Sequence, residues 1–142
     1  MARRWYRKSN IKLNNQGVVI DGIKFQSKKE GNRYCELKLL QRAGEISDLE
    51  LQKKYELVPA QYETVETGEY YKVGEKKGQP KTKQVCVEQA LCYVADFVYK
   101  ENGQTVVEDV KGFRDPGSST YAYFVIKRKL MLYFHGIKIK EV

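Results

Sequence analysis

Asn102-Gly103 is the strongest short hairpin signal in this chain, and it makes the acidic residues around it countable. A two-residue turn there sets Glu101 opposite Gln104 and, counting outward, Asp96 opposite Asp109. Side chains alternate along a strand, so Lys111 shares the Asp109 face and lies opposite Val94. Two carboxylates and an ammonium converge. Like charges facing each other across a strand pair repel by roughly 3 kcal/mol at ~5 Å and an effective dielectric of ~20, so something must offset them. Tyr93, Val94, Phe97, Val98, Tyr99, Val106, Val107 and Val110 make both strands apolar on both faces, as in a central pair covered by helices. Half-buried aspartates in such a hairpin point to a hard divalent cation, Mg²⁺ first, whose natural ligands are carboxylate oxygens and water. The alternative is an Asp109–Lys111 ion pair at a sheet edge with Asp96 facing solvent. A register slip of one residue would put Glu108 in the place of Asp109.

The elements that must hold this hairpin can be read in order. Residues 17–25 (GVVIDGIKF) form a short hairpin or extended lead-in turning at Asp21-Gly22. SKKE at 27–30 is a capping-box pattern, and Tyr34, Leu37, Leu40 and Ala43 recur at helical spacing before Gly44, which predicts a helix over 28–43. Over 46–58 alternation places Leu49, Leu51, Tyr55 and Leu57 on one side of a strand, with a bulge allowed, until Pro59 ends it. Over 60–84 YETVETGEYYKV reads as strand or loop, and the Gly-, Pro- and Lys-rich insertion at about 66–84, with no apolar period in VGEKKGQPKTK, reads as a mobile basic loop. Strands are expected over 85–99 and 104–111, then a helix over 120–134 stopped by Gly136, then a short strand in IKIKEV. The order helix, three strands, helix, strand gives the α/β class, a sandwich around a mixed sheet.

Composition bounds the chemistry. The chain has 142 residues with 26 Lys+Arg against 18 Asp+Glu, a formal net charge of +8. That suits one domain over 17–142, preceded by a basic arm at 1–16 that carries Arg3, Arg4, Arg7 and Lys8. A hydrophobic share of 42% is enough for a core and argues against a wholly disordered basic tail. No run approaches the ~18 apolar residues of a membrane span, and MARRWYRKSN lacks the apolar stretch of a secretory signal, so the expected place is the cytoplasm. The charge points to a polyanionic partner, nucleic acid above others. Cys35, Cys86 and Cys92 form no CxxC pair and His135 is the single histidine, which argues against zinc and against a disulfide framework. Cys35 and Cys92 read as core residues and His135 as a helix C-terminal residue favoured by the dipole. GxxxxGK[ST], GxGxxG and GxSxG are absent, leaving nucleotide-loop binding and serine hydrolysis without their signatures.

Asp96 in YVADF, followed by Asp109, Val110 and Lys111 in EDVKG, resembles the PD-(D/E)XK nuclease core, and the element order is similar to that superfamily's restriction-endonuclease-like core of a mixed sheet flanked by helices. KFQSKKEGNRYCELKLLQRAGEISDLELQKKYEL and YVADFVYKENGQTVVEDVKG, with the lysine-rich second helix and last strand, resemble a family of small phage-encoded proteins assigned to that group and considered similar to Holliday junction resolvases. The resemblance covers about residues 23–58 and 91–142. It implies a structure-selective DNA endonuclease: Asp96 and Asp109 would ligate Mg²⁺, with Mn²⁺ as a substitute, and Lys111 would orient or help deprotonate the attacking water and stabilise phosphate charge. It also implies a homodimer acting on branched DNA during recombination in a bacterial host cell, and a further ligand from the first helix at the position of Glu30. A flap or nonspecific nuclease, or a non-catalytic DNA-binding protein that keeps the nuclease fold, would use the same residues.

Several of these residues carry an ordinary reading beside the functional one. Glu30 either ligates metal, since it shares a stripe with Tyr34 and Leu37, or closes the capping box on Ser27. Gln52 is either near the site or a solvent-facing strand residue. Arg33 either holds a phosphate or forms a surface ion pair. Lys127, beside an apolar set of Phe124, Ile126, Leu130 and Phe134, is the expected DNA contact of the second helix. Lys76 and Lys77 in the insertion, with Arg3 and Arg4 in the arm, are candidates for clamping the DNA backbone. Tyr70 and Tyr71 are candidates for base stacking.

Overall fold

Ser27 begins α1 (Lys28–Ala43) by accepting the Glu30 N–H at 3.1 Å, and Gly44 closes it in the left-handed conformation, its N–H returning to the Gln41 carbonyl. The computed structural model, which describes residues 16–112 and 114–142, thus places this helix on the bounds its caps predict. Ahead of it β1 (Val18–Ile20) and β2 (Ile23–Phe25) turn at Asp21-Gly22. This hairpin lies tight on the first turns of α1. A Cβ at Gly31 would come within 2.6 Å of the Val18 side chain and 2.9 Å of Ile20, so a larger residue there would have to push these hairpin side chains aside.

Four strands form the central sheet: β3 (Ile46–Val58), β6 (Leu91–Glu101), β7 (Gln104–Asp109) and β8 (Lys140–Glu141), in the spatial order β3-β6-β7-β8. The first three are antiparallel to their neighbours, and β7 pairs with β8 in parallel after the chain crosses through α2 (Ser119–His135). The sheet is therefore mixed and the class α/β. Each helix gathers its own core. With α1 go Phe25, Tyr34, Leu37, Ile46, Phe97 and Tyr99; with α2 go Leu57, Tyr93, Ala95, Val98, Val107, Met131 and Ile139.

Those two sets show a change of face. Tyr93 and Ala95 point to the α2 core, yet Phe97 and Tyr99, of the same parity, point to the α1 core. In β3, Leu49 and Leu51 pack on the α1 side whereas Tyr55 and Leu57 pack on the α2 side, so the single apolar side expected for this strand is divided between two. The switch falls at Gln52 and Asp96, which are skipped in the ladder between Leu51–Phe97 and Lys53–Ala95 although the register continues. Gln52 sits at φ 52°, a left-handed conformation that costs a non-glycine residue on the order of 1 kcal/mol. Alternation holds only while the backbone keeps its pleat, and here it does not. A bulge also occurs near Asp48, at φ 54°, between the Ser47 and Glu50 pairs.

The insertion is not a loop. β4 (Gln61–Tyr70) and β5 (Pro80–Glu88) form a separate antiparallel ribbon, so five strands lie between the helices and the strand expected over 85–99 is split at Gln89-Ala90. Cross-strand pairs such as Thr64–Gln84 and Val65–Lys83 hold the ribbon. Both of its faces are largely exposed, which is why it shows no apolar period. On α2 only Phe124 and Met131 are buried; Ile126 and Phe134, expected on its apolar side, are 53% and 55% exposed. Cys35, expected in the core, is exposed. His135 ends α2 as expected and donates from Nε2 to the Glu56 carbonyl at 2.6 Å.

Candidate active site

Asn102 and Gly103 take φ 50° and 76°, the turn that lets the hairpin twist with its strands, and the register runs as counted from Glu101–Gln104 to Phe97–Glu108. The ladder stops one pair short of Asp96 and Asp109. There the Asp96 side chain takes over from the backbone: its Oδ2 accepts the Val110 N–H at 2.8 Å and its Oδ1 accepts Gln52 Nε2 at 3.3 Å. The left-handed turn at Gln52 thus delivers its amide to the carboxylate that fills the gap in the hairpin.

Asp109 is nearly buried on the α2 side. Its Oδ2 accepts the Tyr93 hydroxyl at 2.9 Å and its Oδ1 meets Lys111 Nζ at 2.7 Å. The ammonium also lies 3.6 Å from the centre of the Phe124 ring, whose face favours a cation. Lys111 lies past the end of β7 rather than in a pair with Val94; its N–H donates to the Val142 carbonyl at 2.8 Å, and the Val142 N–H returns to Asp109 at 3.0 Å. Lys29 Nζ donates to the Lys111 carbonyl at 2.7 Å. The Asp109–Lys111 segment is held from β8 and from α1 at once.

Charge is unevenly answered here. Burial pushes the Asp96 carboxyl up to about 6, and the negative fields of Asp109 and Glu30 add to it, against the opposing hydrogen bonds from Val110 and Gln52. Burial and the neighbouring Asp109 raise the Tyr93 hydroxyl far above its ordinary value, so it remains a donor. Glu30 itself is engaged at the helix start: its carboxylate accepts the Gln26 N–H at 3.1 Å and the Ser27 hydroxyl at 3.4 Å. It therefore caps the helix while contributing its field to Asp96.

The opposite face answers its charge completely. Glu108, with no exposed surface, receives Arg33 Nε at 2.9 Å and Nη2 at 2.7 Å, the Tyr99 hydroxyl at 2.6 Å and Lys140 at 3.2 Å. Burial opposes ionisation, but these donors outweigh it and hold the carboxyl below its ordinary value. Arg33 thus spends its fork on Glu108 and on Glu36 at 2.7 Å. Neither Tyr93 nor the burial of Glu108 was anticipated; the only hint of Glu108 was its place one register step from Asp109. A groove of about 430 Å³ along this side is lined by Lys29, Arg33, Glu36 and Lys140 and also by Val110 and Val142, whose backbone N–H groups donate to Asp96 and Asp109.

The other expected contacts are dispersed. Lys127 Nζ lies 4.7 Å from the centre of the Tyr123 ring on the outside of α2, and Lys76 and Lys77 are exposed at the end of the β4–β5 ribbon. Arg3 and Arg4 lie outside the described residues. Among the described residues no group of three or more His, Cys, Asp and Glu side chains is arranged around a common point suited to a metal. The donor set fits a small hard cation on other grounds: each Asp96 and Asp109 oxygen has one hydrogen-bonding partner and retains a lone pair, and Mg²⁺ needs only one or two carboxylates with water and phosphate oxygens.

A family model described as "Protein of unknown function (DUF1064)" matches residues 10–140. No curated protein and no solved structure matches the chain.

Proposed function

The chain belongs to the DUF1064 family, and we propose that it is a metal-dependent DNA endonuclease of restriction-endonuclease-like fold, acting on branched DNA as a Holliday junction resolvase. The observation that carries this reading is the meeting of Asp96, Asp109 and Lys111 at the open end of the β6–β7 hairpin, with the Asp96 carboxyl pushed up by burial and by neighbouring acids. A half-buried carboxylate whose charge is disfavoured, next to a buried aspartate that holds an ammonium in place, is costly to keep and useful for hydrolysis. Asp96 and Asp109 would hold Mg²⁺ or Mn²⁺, which supplies polarisation of the phosphoryl oxygen and a more acidic water. Lys111, fixed by Asp109, Phe124 and its backbone bond to Val142, orients the water and offsets charge gathering on the phosphoryl oxygens. Tyr93 and Gln52 keep the two carboxylates aimed. The water oxygen bonds to phosphorus as it releases a proton to solvent, the ester bond breaks, and the departing sugar oxygen takes up a proton from solvent, so that one water is consumed and no net proton is gained or lost in the transfer. A homodimer in the cytoplasm of a bacterial host would supply the two cuts a junction needs.

The closed Asp109–Lys111 pair and the capping role of Glu30 favour a second reading, a DNA-binding protein that keeps the fold without cutting. One experiment separates them: labelled four-way junction, flap, duplex and single-stranded DNA are incubated with Mg²⁺, Mn²⁺ or EDTA and wild type or Asp109→Asn. Paired symmetric nicks in the junction, lost in EDTA and in the variant, are expected. Cutting of every substrate would remove the junction selectivity, and binding without cutting under either metal would sink the nuclease.

A further inference from the structure

The β4–β5 ribbon is the part of the fold that the proposed chemistry does not use. None of its residues joins either core cluster, yet its strands run to ten and nine residues. Its charge balance changes along its length. Glu63, Glu66, Glu69 and Glu88 lie in its two strands, interleaved with Lys81 and Lys83 on β5, whereas at the tip Lys72, Lys76 and Lys77 outnumber Glu75. Of these five lysines only Lys81 has an ion-pair partner among the described residues, Glu69 at 3.1 Å. At the apex stands Val73, 81% exposed, an apolar side chain that water alone does not reward. The tip is braced rather than loose: the Tyr71 N–H donates to Gln79 at 3.0 Å, Gly78 to Tyr71 at 2.9 Å, Lys77 to Gly74 at 3.1 Å and Gln79 to Lys76 at 2.9 Å. Lys76 and Lys81 each place Nζ 5.9 Å from the centre of the Tyr71 ring.

We infer that this ribbon is a DNA-deforming arm, whose tip lysines straddle the phosphate backbone while Val73 wedges into an unstacked base step at the branch. A two-stranded ribbon matches the width of a DNA groove. Lysines without carboxylate partners release counterions when they meet phosphate. Aliphatic wedges between base steps are a general means of kinking a duplex, and a wedge must be presented on a stiff support, which the cross-tip hydrogen bonds supply. The inference rests on the DNA reading above and adds what selects the substrate: a site that finds its phosphate because the ribbon holds a distorted junction.

The test uses the full chain in EDTA, so that binding is read apart from cutting. A fluorescein-labelled four-way junction with 2-aminopurine at the branch is titrated by anisotropy across a salt series. Wild type is compared with the double variant Lys76→Gln, Lys77→Gln and with Val73→Ser; all three positions are exposed, and thermal melting checks that the fold is kept. The double variant should bind about tenfold more weakly at 150 mM salt, with a slope of log K against log salt smaller by about 2. Val73→Ser should bind within about threefold of wild type yet lose the rise in 2-aminopurine fluorescence. Wild-type affinity and slope in the double variant would overturn the arm, and an unchanged fluorescence rise in Val73→Ser would overturn the wedge. If Asp109-dependent cutting is seen while the ribbon variants behave as wild type, the arm fails alone; if ribbon effects appear and no metal supports cutting, the arm stands and the nuclease fails.

Discussion

Glu108 and Asp109 are neighbours in sequence and opposites in treatment. Glu108 turns to the α1 side and is met by Arg33, Tyr99 and Lys140, donors enough to satisfy both oxygens. Asp109 turns to the α2 side, where Tyr93 and Lys111 answer it but Asp96 stands near and Glu30 adds its field. One carboxylate is neutralised into the scaffold; the other is closed on Tyr93 and Lys111, and the unfavourable charge falls on its neighbour Asp96. The comparison teaches that a buried acid is not by itself a site; what matters is whether its surroundings leave charge unanswered.

The largest expected effect breaks the tense side. Asp109→Asn should lower metal-dependent junction cleavage by at least about a thousandfold, on the order of 4 kcal/mol of barrier, with DNA binding in EDTA unchanged, as gel cleavage and anisotropy would show. On the satisfied side, Arg33→Ala should cost about 3 kcal/mol in urea unfolding, because it leaves Oε2 of the fully buried Glu108 without a donor while Tyr99 and Lys140 still answer Oε1. A loss under 1 kcal/mol would mean that Glu108 is not ionised in the folded state.

The two sides should also titrate in opposite directions. Asp96 is raised from 3.8 to about 6, so between those values the folded protein holds a proton that the unfolded chain has released, and stability falls as pH rises through that window. Asp96→Asn should therefore be more stable than wild type by up to about 3 kcal/mol at pH 8 in EDTA, with the gain vanishing below pH 3.8. Glu108 has its carboxyl lowered from 4.5, so its contribution is present above that pH and is lost as pH falls through the folded value. Glu108→Gln should flatten the acid limb that Asp96→Asn leaves intact. Smallest is Tyr93→Phe, which removes one hydrogen bond to Asp109 and should cost about 1 kcal/mol in stability.

The elements legible in the sequence are those whose signals are local. SKKE with Gly44, Gly136 after α2, and Asn102-Gly103 each settle a boundary within a few residues, and the hairpin register followed from the turn alone. The first strand of the ribbon stayed open between strand and loop and the start of its return strand was missed, because a strand pair exposed on both faces has no apolar rhythm and its Thr, Val and Lys pairs declare themselves only once paired. The change of face at Gln52 and Asp96 was missed because counting by twos assumes an unbroken pleat. Of the candidate site, Asp96, Asp109 and Lys111 came from spacing and Glu30 from its capping box and a family likeness. The engagement of Arg33 could not, since its partner lies across the sheet and far along the chain.

The bond from Lys111 to Val142 also bears on the order of assembly. The β6–β7 hairpin closes over a two-residue turn, an event of about 1–10 μs, and can form early. The strand that grips Lys111 arrives only after α2 has crossed the sheet, a slower non-local closure. A chain still emerging from synthesis would carry the aspartates before Val142 offers the lysine its seat, so the acid–lysine arrangement settles after the hairpin that presents it.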